Sequence, residues 1–473
     1  MYKIAVIGAG PAGMAAAYSL AKKGYHVDVY EATSKVGGLA GTIELWNQKV
    51  DIGPHRFFSN DKRVNELWLE VVGADYEMVD RLTRIYYKDK FYHYPIKIFN
   101  ALRNLGILEA LRCFLSYLRE LVSPTIQDGS FETWVQSRFG KRLFQIFFKT
   151  YTQKLWGIKC TELDSDFAAQ RIKKLSMYEA VKNAVLKGKR NQHKTLLDQF
   201  AYPVGGTGKV YEKMADFVKL SGNQIYFETP VYRIITCKGN VTGIELGDGI
   251  EKLYDHVISS MPYTLMVNRL PDVPKHIKDL AAELKYRNTV IVYLLINHAN
   301  IFPDNWIYIH SSELQMGRIT NFRNWTQDLF GNQKKTILAI EYWCNSDDEM
   351  WKISDDDFIS LASSEIVKTK LVELNTIENG FVYRINKSYP VYQKGYKEIL
   401  QPIEAYVSTI KNLSAIGRYG AFKYNNQDHS LLMGILAAEN IIQNASHKLS
   451  EINTDYETYQ ESYIITKAGL QKQ

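Results

Sequence analysis

The chain opens with an unbroken apolar run, Ile4 to Ile7, with charge only at its edge. A short run without alternation is the pattern of a strand covered on both faces. An alanine-rich stretch follows and predicts a helix, and a second apolar run, His26 to Tyr30, predicts a second strand beside the first. From Lys97 to about Lys194 the apolar positions recur at helical spacing. Strand patterns return at "NQIYFETPVYRIITCKGNVTGIEL" and "YDHVISSMP". They continue through "VIVYLLIN", "WIYIHS", "RITNF" and "TILAIEYWC", joined by short turns, which predicts an antiparallel sheet. "SDDDFISLASSEIVKTKLVEL" predicts a helix with an acidic first turn, and "SLLMGILAAENII" a last, apolar one.

The first turn carries chemistry. Gly8, Gly10 and Gly13 form G-x-G-x-x-G between strand and helix, with Pro11 and Ala12 inside it, and the second strand ends in Glu31. Gly8 permits a tight turn, Gly10 lets backbone approach a pyrophosphate, and Gly13 allows close packing of helix on strand. The helix start offers about half a positive charge to phosphates, and Glu31 can accept from ribose hydroxyls. The motif in register with strand, helix and acid predicts dinucleotide binding. Just beyond lies "ATSKVGGLAGT". Its Gly37, Gly38 and Leu39 resemble the second glycine cluster of FAD-binding proteins of the glutathione-reductase-like group, so FAD is the dinucleotide expected. "DIGPHRFFS", with His55 and Phe58, would lie beside the isoalloxazine, and a strand near Val231 would cover the adenine.

The expected fold class is therefore α/β: a discontinuous Rossmann-type FAD-binding domain with a helical insertion domain and an antiparallel β-sheet domain. The boundaries fall at 1–95, 199–262 and 389–445 for the flavin domain, 96–198 for the helical insert and 263–388 for the sheet. Residues 446–473 are a polar tail, read as a surface helix or a partly ordered segment.

Charge changes the picture little. A net +7 and a pI of about 8.8 fall short of a nucleic-acid binder, and much of the excess lies between Lys173 and Lys194. Four scattered cysteines have no metal spacing and suit reduced thiols in a cytoplasmic protein. No apolar run is long enough to cross a bilayer. The greasy stretch Ile96–Val122 is interrupted by Arg103, Glu109, Arg112 and Arg119, which leaves two readings: a buried helix, the favoured one, or an amphipathic helix that touches a membrane surface. The 32 tyrosines suit a pocket that stacks rings while bonding sugars or phosphates.

Near the end stands "IGRYGAFKYNNQDHSLLMG": Gly417, Arg418, Tyr424, then Asn426, Gln427, Asp428, His429 and Ser430 ahead of the apolar helix. Polar groups and a helix N-terminus together stabilise negative charge, which suits a reduced flavin.

With "GPHRFFS", "YTQKLWG", "AYPVGGTGKVYE", "WIYIHS" and "SYP" in the same order, this segment resembles the UDP-galactopyranose mutases, particularly the eukaryotic type, up to about Ile442. The resemblance implies that His55 and Phe58 face the flavin and that Trp156 lines a sugar pocket. It makes Arg171 and Arg318 the arginines that grip a diphosphate, and Tyr308, Tyr389 and Tyr424 its phenolic partners, with Trp306 beside Tyr308. Tyr94 would stack on uracil, and Asn426 to His429 would reach flavin and sugar. It also implies a redox-neutral isomerase serving polysaccharide biosynthesis at the cell envelope. There N5 of reduced FAD bonds to the anomeric carbon of a UDP-sugar, and NAD(P)H is the reductant. Lys97 and Thr152 depart from the family's glutamine and asparagine, and the polar run is shorter. These departures touch base and sugar contacts rather than flavin and diphosphate.

A rival on the same architecture is an FAD-dependent oxidase or desaturase of the protoporphyrinogen-oxidase or amine-oxidase type, which would need an apolar tunnel. Another is a flavin-binding partner without catalysis in a polysaccharide assembly complex. Oligomeric state stays open, a homo-oligomer included.

Overall fold

In a computed structural model, residues 2–94, 98–172, 199–453 and 463–472 are described. They fall into two compact units. One comprises 1–79, 200–285 and 396–473, the other 80–199 and 286–395.

The first unit is built on the expected strand–helix–strand start. Strand β1 (Lys3–Ile7), helix α1 (Pro11–Ala21) and strand β2 (His26–Tyr30) open it. A five-stranded sheet runs Leu413–Ala415, His256–Ser259, β1, β2, Gln224–Tyr226, and every neighbouring pair is parallel. Ile4 to Ile7 are buried, as strands covered on both faces require. The final helix, Gln427–Ile442, is buried without a break from His429 to Ala438. A helix apolar all round needs neighbours on every side. Gly434 lets one of them come close: a Cβ there would lie 2.3 Å from the Ala12 carbonyl oxygen of α1. Three antiparallel strands, Val231–Cys237, Asn240–Leu246 and Glu251–Leu253, form a smaller sheet.

The second unit combines the helical run with a seven-stranded sheet. Its order is Ile377–Pro390, Tyr286–Ile296, Thr336–Cys344, Arg318–Asn321, Trp306–Ile309, Thr83–Tyr87, Lys90–His93. The expected antiparallel pairing holds except at one seam, where Trp306–Ile309 runs parallel to Thr83–Tyr87. Helices follow from Ile98–Leu105 and Ile107–Val122 through Thr150–Trp156 to Ser165–Ile172.

The units group some segments differently from the boundaries drawn at 95, 262 and 388. Residues 80–94 go with the large sheet, which they join through the parallel seam, and 389–390 end its edge strand, with 391–395 in the same unit. Residues 263–285 go with the nucleotide-type sheet, where the helix Lys275–Glu283 packs against Tyr396–Ser408. The tail is expected as a surface helix or a partly ordered segment, and its described end is a hairpin instead. Tyr463–Thr466 and Gly469–Lys472 pair as a hairpin, pinned by Tyr76 donating to the Thr466 carbonyl at 2.7 Å and Asn65 donating to that of Tyr463 at 3.0 Å. Ile465 is buried in the core beneath. The basic stretch Lys173–Lys194, and Lys97, lie outside the described residues.

Candidate functional site

The two glycine clusters of the first unit are packed backbone to backbone. Gly37 N–H donates to the Ala9 carbonyl at 2.9 Å, and a Cβ on Gly38 would lie 3.2 Å from the Gly10 Cα. Gly8 (φ +95°) has no room either, since its Cβ would sit 2.2 Å from Ser260 Oγ. A Cβ on Gly13 would come within 1.9 Å of the Gly8 carbonyl oxygen. Gly10 differs. Its Cβ would meet nothing nearer than 3.9 Å, so its backbone faces a clear approach at the start of α1, where Pro11 takes the first helical position. Sterics of the fold explain Gly8, Gly13, Gly37 and Gly38; Gly10, left unexplained, borders the space a pyrophosphate would take.

Glu31 fixes this loop from below. Its carboxylate accepts from Ala9 N–H at 2.7 Å and from Thr33 N–H and Oγ1 at 2.9 and 2.8 Å. The segment leading to Val231 is tied to the same place, with Thr229 N–H donating to the Glu31 carbonyl. Val231 itself is buried, and Leu39 is half-buried next to Gly38.

The "GPHRFFS" loop and the last helix meet at the carbonyl of His55. It accepts from Thr207 Oγ1 at 3.0 Å and Gln427 Nε2 at 2.9 Å, while Tyr211 donates to Gln427 Oε1 at 2.6 Å. Asp51, fully buried, accepts from Thr42, Tyr202 and the Thr207 N–H. Burial pushes its carboxyl up to about 6, against those hydrogen bonds. Phe58 is half-buried with Arg56 over its ring, whereas Phe57 is stacked on Trp68 in the core. At the helix start His429 Nδ1 accepts from the Asn426 N–H at 3.3 Å and lies 3.1 Å from Asp428 Oδ1. Arg418 donates to the Asn425 carbonyl at 2.9 Å and lies over the Tyr424 ring. Gly417 (φ +81°) brings this loop to α1, where its Cβ would be 3.0 Å from that of Ala12. Gly10, Gly417 and the Asn426–Ser430 run thus belong to one region of one unit, with two helix N-termini contributing.

In the second unit a chain of rings connects Tyr94 to Arg318. Tyr94 and Tyr308 stand edge to face at 5.4 Å, Tyr308 and Tyr151 likewise at 5.4 Å, and Tyr151 and Trp343 at 5.6 Å. The Arg318 guanidinium lies 6.0 Å from the Trp343 ring centre. Burial alone would lower its pKa, but the Glu341 carboxylate, Tyr389 and Tyr151 carry it well above the ordinary value. Tyr389 stands 6.3 Å from Trp156.

Two candidates are placed more deeply than a pocket wall. Trp156 has no exposed surface and packs among Phe167, Tyr389 and Tyr392. Trp306 is buried beside Trp325. Arg171 falls in the last turn of the helix Ser165–Ile172, and its side chain lies outside the described residues.

Three residues that hold this cluster escaped the sequence reading. Lys154 buries its ammonium among the carbonyls of Ser311, Ile309 and Met316 at 2.7, 3.2 and 3.2 Å, and burial lowers it to about 8. Arg287 donates to the carbonyls of Leu155, Lys154 and Trp343. Glu341 pairs with Arg318. Only Glu341 left a clear signal: a lone carboxylate within "TILAIEYWC" must be neutralised where it is buried.

A family model for flavin containing amine oxidoreductases matches residues 11–381. The chain belongs to the flavin-containing amine oxidoreductase family. It is 22% identical to the coproporphyrinogen III oxidase of Staphylococcus aureus over 93% of this chain and 98% of that protein. A Klebsiella pneumoniae protein named "Probable UDP-galactopyranose mutase" is 27% identical, over 34% of this chain and 42% of its own length. A crystal structure of reduced UDP-galactopyranose mutase superposes with a TM-score of 0.82 at 20% identity, covering 96% of this chain and 98% of that one. The α/β flavoprotein fold expected from the sequence is thereby established. FAD is the cofactor the family implies, and the clear approach at Gly10 fits it. Among the described residues no helix is long and apolar enough to cross a membrane.

Proposed function

We propose that this family member is a nucleotide-sugar mutase that interconverts the pyranose and furanose forms of a UDP-sugar of the UDP-galactose kind. The observation that carries this reading is the composition of the second unit's cluster. Arg318 sits within electrostatic reach of Tyr389 and Tyr151, and through Tyr151 and Tyr308 the set extends to Tyr94. A guanidinium among phenols is suited to a diphosphate, which takes several charge-assisted hydrogen bonds from planar and hydroxyl donors.

When reduced and bound, FAD would supply a nucleophilic nitrogen for the anomeric carbon. The residues of the chain have the remaining tasks. Within the second unit, Arg171 and Arg318, with Tyr308 and Tyr389, retain the nucleotide once it leaves the sugar, a proximity effect of several kcal/mol, about 7–11 at its limit. Tyr94, about half exposed, presents a ring for the base. Trp156 packs in the core beside Tyr389, and Trp306 beside Trp325. The polar run Asn426–Ser430 and the helix behind it favour negative charge on the cofactor, and the Thr207 and Gln427 hydrogen bonds hold the His55 main chain in place. NAD(P)H would act as reductant.

A second reading, a porphyrinogen-type oxidase, is supported by the near full-length match to coproporphyrinogen III oxidase and by the neutralisation of Arg318 by Glu341. The deciding experiment gives dithionite-reduced protein UDP-galactopyranose and aerobic protein coproporphyrinogen III. Furanose product from the reduced sample alone supports the mutase. Peroxide and porphyrin from the aerobic sample, with no furanose from any UDP-hexose, would reject it.

A further inference from the structure

The helix Ile107–Val122 has one face docked and one face bare. Its docked side carries Cys113, which is buried with Ile85, Tyr92, Ile146 and Phe147. Around the other side Ile107, Leu111, Phe114, Leu115, Leu118 and Val122 are all exposed, the two end residues by 86% and 88%. At about 100° per residue these six span an arc of roughly 100°, and among the described residues nothing covers it. Of the two readings of this stretch, the wholly buried helix is corrected to one that is buried on a single side.

The charges are sorted to match. Arg119 and Arg112, both exposed, continue the same arc along one border. Both acids of the helix are turned away from the stripe: Glu109 accepts from Arg142 and, at 3.3 Å, from the exposed Arg112, and Glu120, itself buried, accepts from the Thr125 hydroxyl at 2.9 Å. An apolar stripe bordered by exposed arginines, with both carboxylates of the helix off the stripe, is complementary to an anionic lipid surface. It is less suited to a second copy, because a two-fold pairing of this helix would bring arginines together and offer Arg119 no carboxylate on the arc. At 16 residues the helix is too short to cross a bilayer and suits lying along one.

We propose that this face seats the protein on the surface of a membrane containing anionic phospholipid, with Phe114 and Leu118 entering the acyl boundary and Arg112 and Arg119 at the headgroups. This does not depend on the mutase reading. The test is flotation of the full-length protein with phosphatidylcholine vesicles, with and without phosphatidylglycerol. The wild type should float with the anionic vesicles. The double substitution Phe114→Ser with Leu118→Ser should reduce the bound fraction about ten-fold, and Arg112→Gln with Arg119→Gln, or raised salt, several-fold. All four side chains are exposed, so melting temperatures near the wild type should accompany both variants. No flotation of the wild type, or flotation unaffected by either variant, overturns the proposal. So does a stable dimer that Phe114→Ser with Leu118→Ser dissociates while vesicles are ignored, which would give the face to a second copy.

Discussion

Glu341 grips Arg318 at two points, Nε donating to one carboxylate oxygen at 2.7 Å and Nη2 to the other, and the carboxylate is almost wholly buried. The positive charge proposed to meet a diphosphate is thus held by an internal counter-charge before any ligand arrives. A buried pair of this kind costs more to break than to replace. Glu341→Gln should therefore destabilise the protein by about 3–5 kcal/mol, and Arg318→Met with Glu341→Leu by clearly less. Urea unfolding of the single and double variants measures this. A double variant as unstable as the sum of its parts would mean the two residues are not coupled.

The same geometry sets what Arg318 can do for a nucleotide. With Nε and Nη2 committed to Glu341, binding to phosphate relies on the rest of the planar group, a geometry that lysine cannot reproduce. Arg318→Lys should weaken UDP binding by about 1.5–3 kcal/mol, the worth of one charged hydrogen bond, and leave the flavin spectrum unchanged. Calorimetry on the reduced protein would detect this; undiminished UDP affinity removes Arg318 from the phosphate site.

Asp51 gives a pH signature. Its carboxyl is raised from 3.8 to about 6 by burial, so between those values the folded protein binds more protons there than the unfolded chain. A raised folded pKa means stability that is full below the lower value and lost as pH rises through the upper one. The stability difference between wild type and Asp51→Asn should fall as pH is raised from about 4 to about 6 and stay level above. Denaturation at a series of pH values tests the sign, and a difference that grows over that interval contradicts the burial argument.

What was legible in the sequence was what is enforced locally. The Gly8–Gly13 turn, Glu31 at the end of β2 and the polar start of the last helix each need particular residues within a few positions, so their spacing reveals them. Glu341 left a signal that the sequence reading passed over, a charge in an apolar strand, and nothing in the sequence paired it with Arg318. The parallel seam between Trp306–Ile309 and Thr83–Tyr87 joins residues more than 200 positions apart, and strand periodicity says nothing of neighbours. Lys154 and Arg287 act on main-chain carbonyls, which every residue has, so no sequence pattern marks them. For Ile107–Val122 the period disclosed a helix with an apolar stripe but not whether the stripe is covered.

The glycines provide the sharpest test of the cofactor site, because two in one motif should fail differently. Gly10 has extended backbone (φ −75°) and open space at its missing Cβ, so Gly10→Val strains nothing in the protein alone. A Cβ at Gly13 would overlap the Gly8 carbonyl oxygen at 1.9 Å, and one at Gly434 the Ala12 carbonyl oxygen at 2.3 Å, so each would force α1 from its seat. Overpacking of this sort costs about 1–3 kcal/mol, occasionally more. Gly10→Val should therefore melt within about 0.5 kcal/mol of wild-type apoprotein, as a surface change does, yet retain little flavin after gel filtration. Gly13→Ala, and likewise Gly434→Ala in the last helix, should lose stability with or without flavin. Absorbance of the purified variants gives cofactor content, and melting of the flavin-stripped proteins gives the rest. Full flavin retention by Gly10→Val would mean that the pyrophosphate does not pass over this turn.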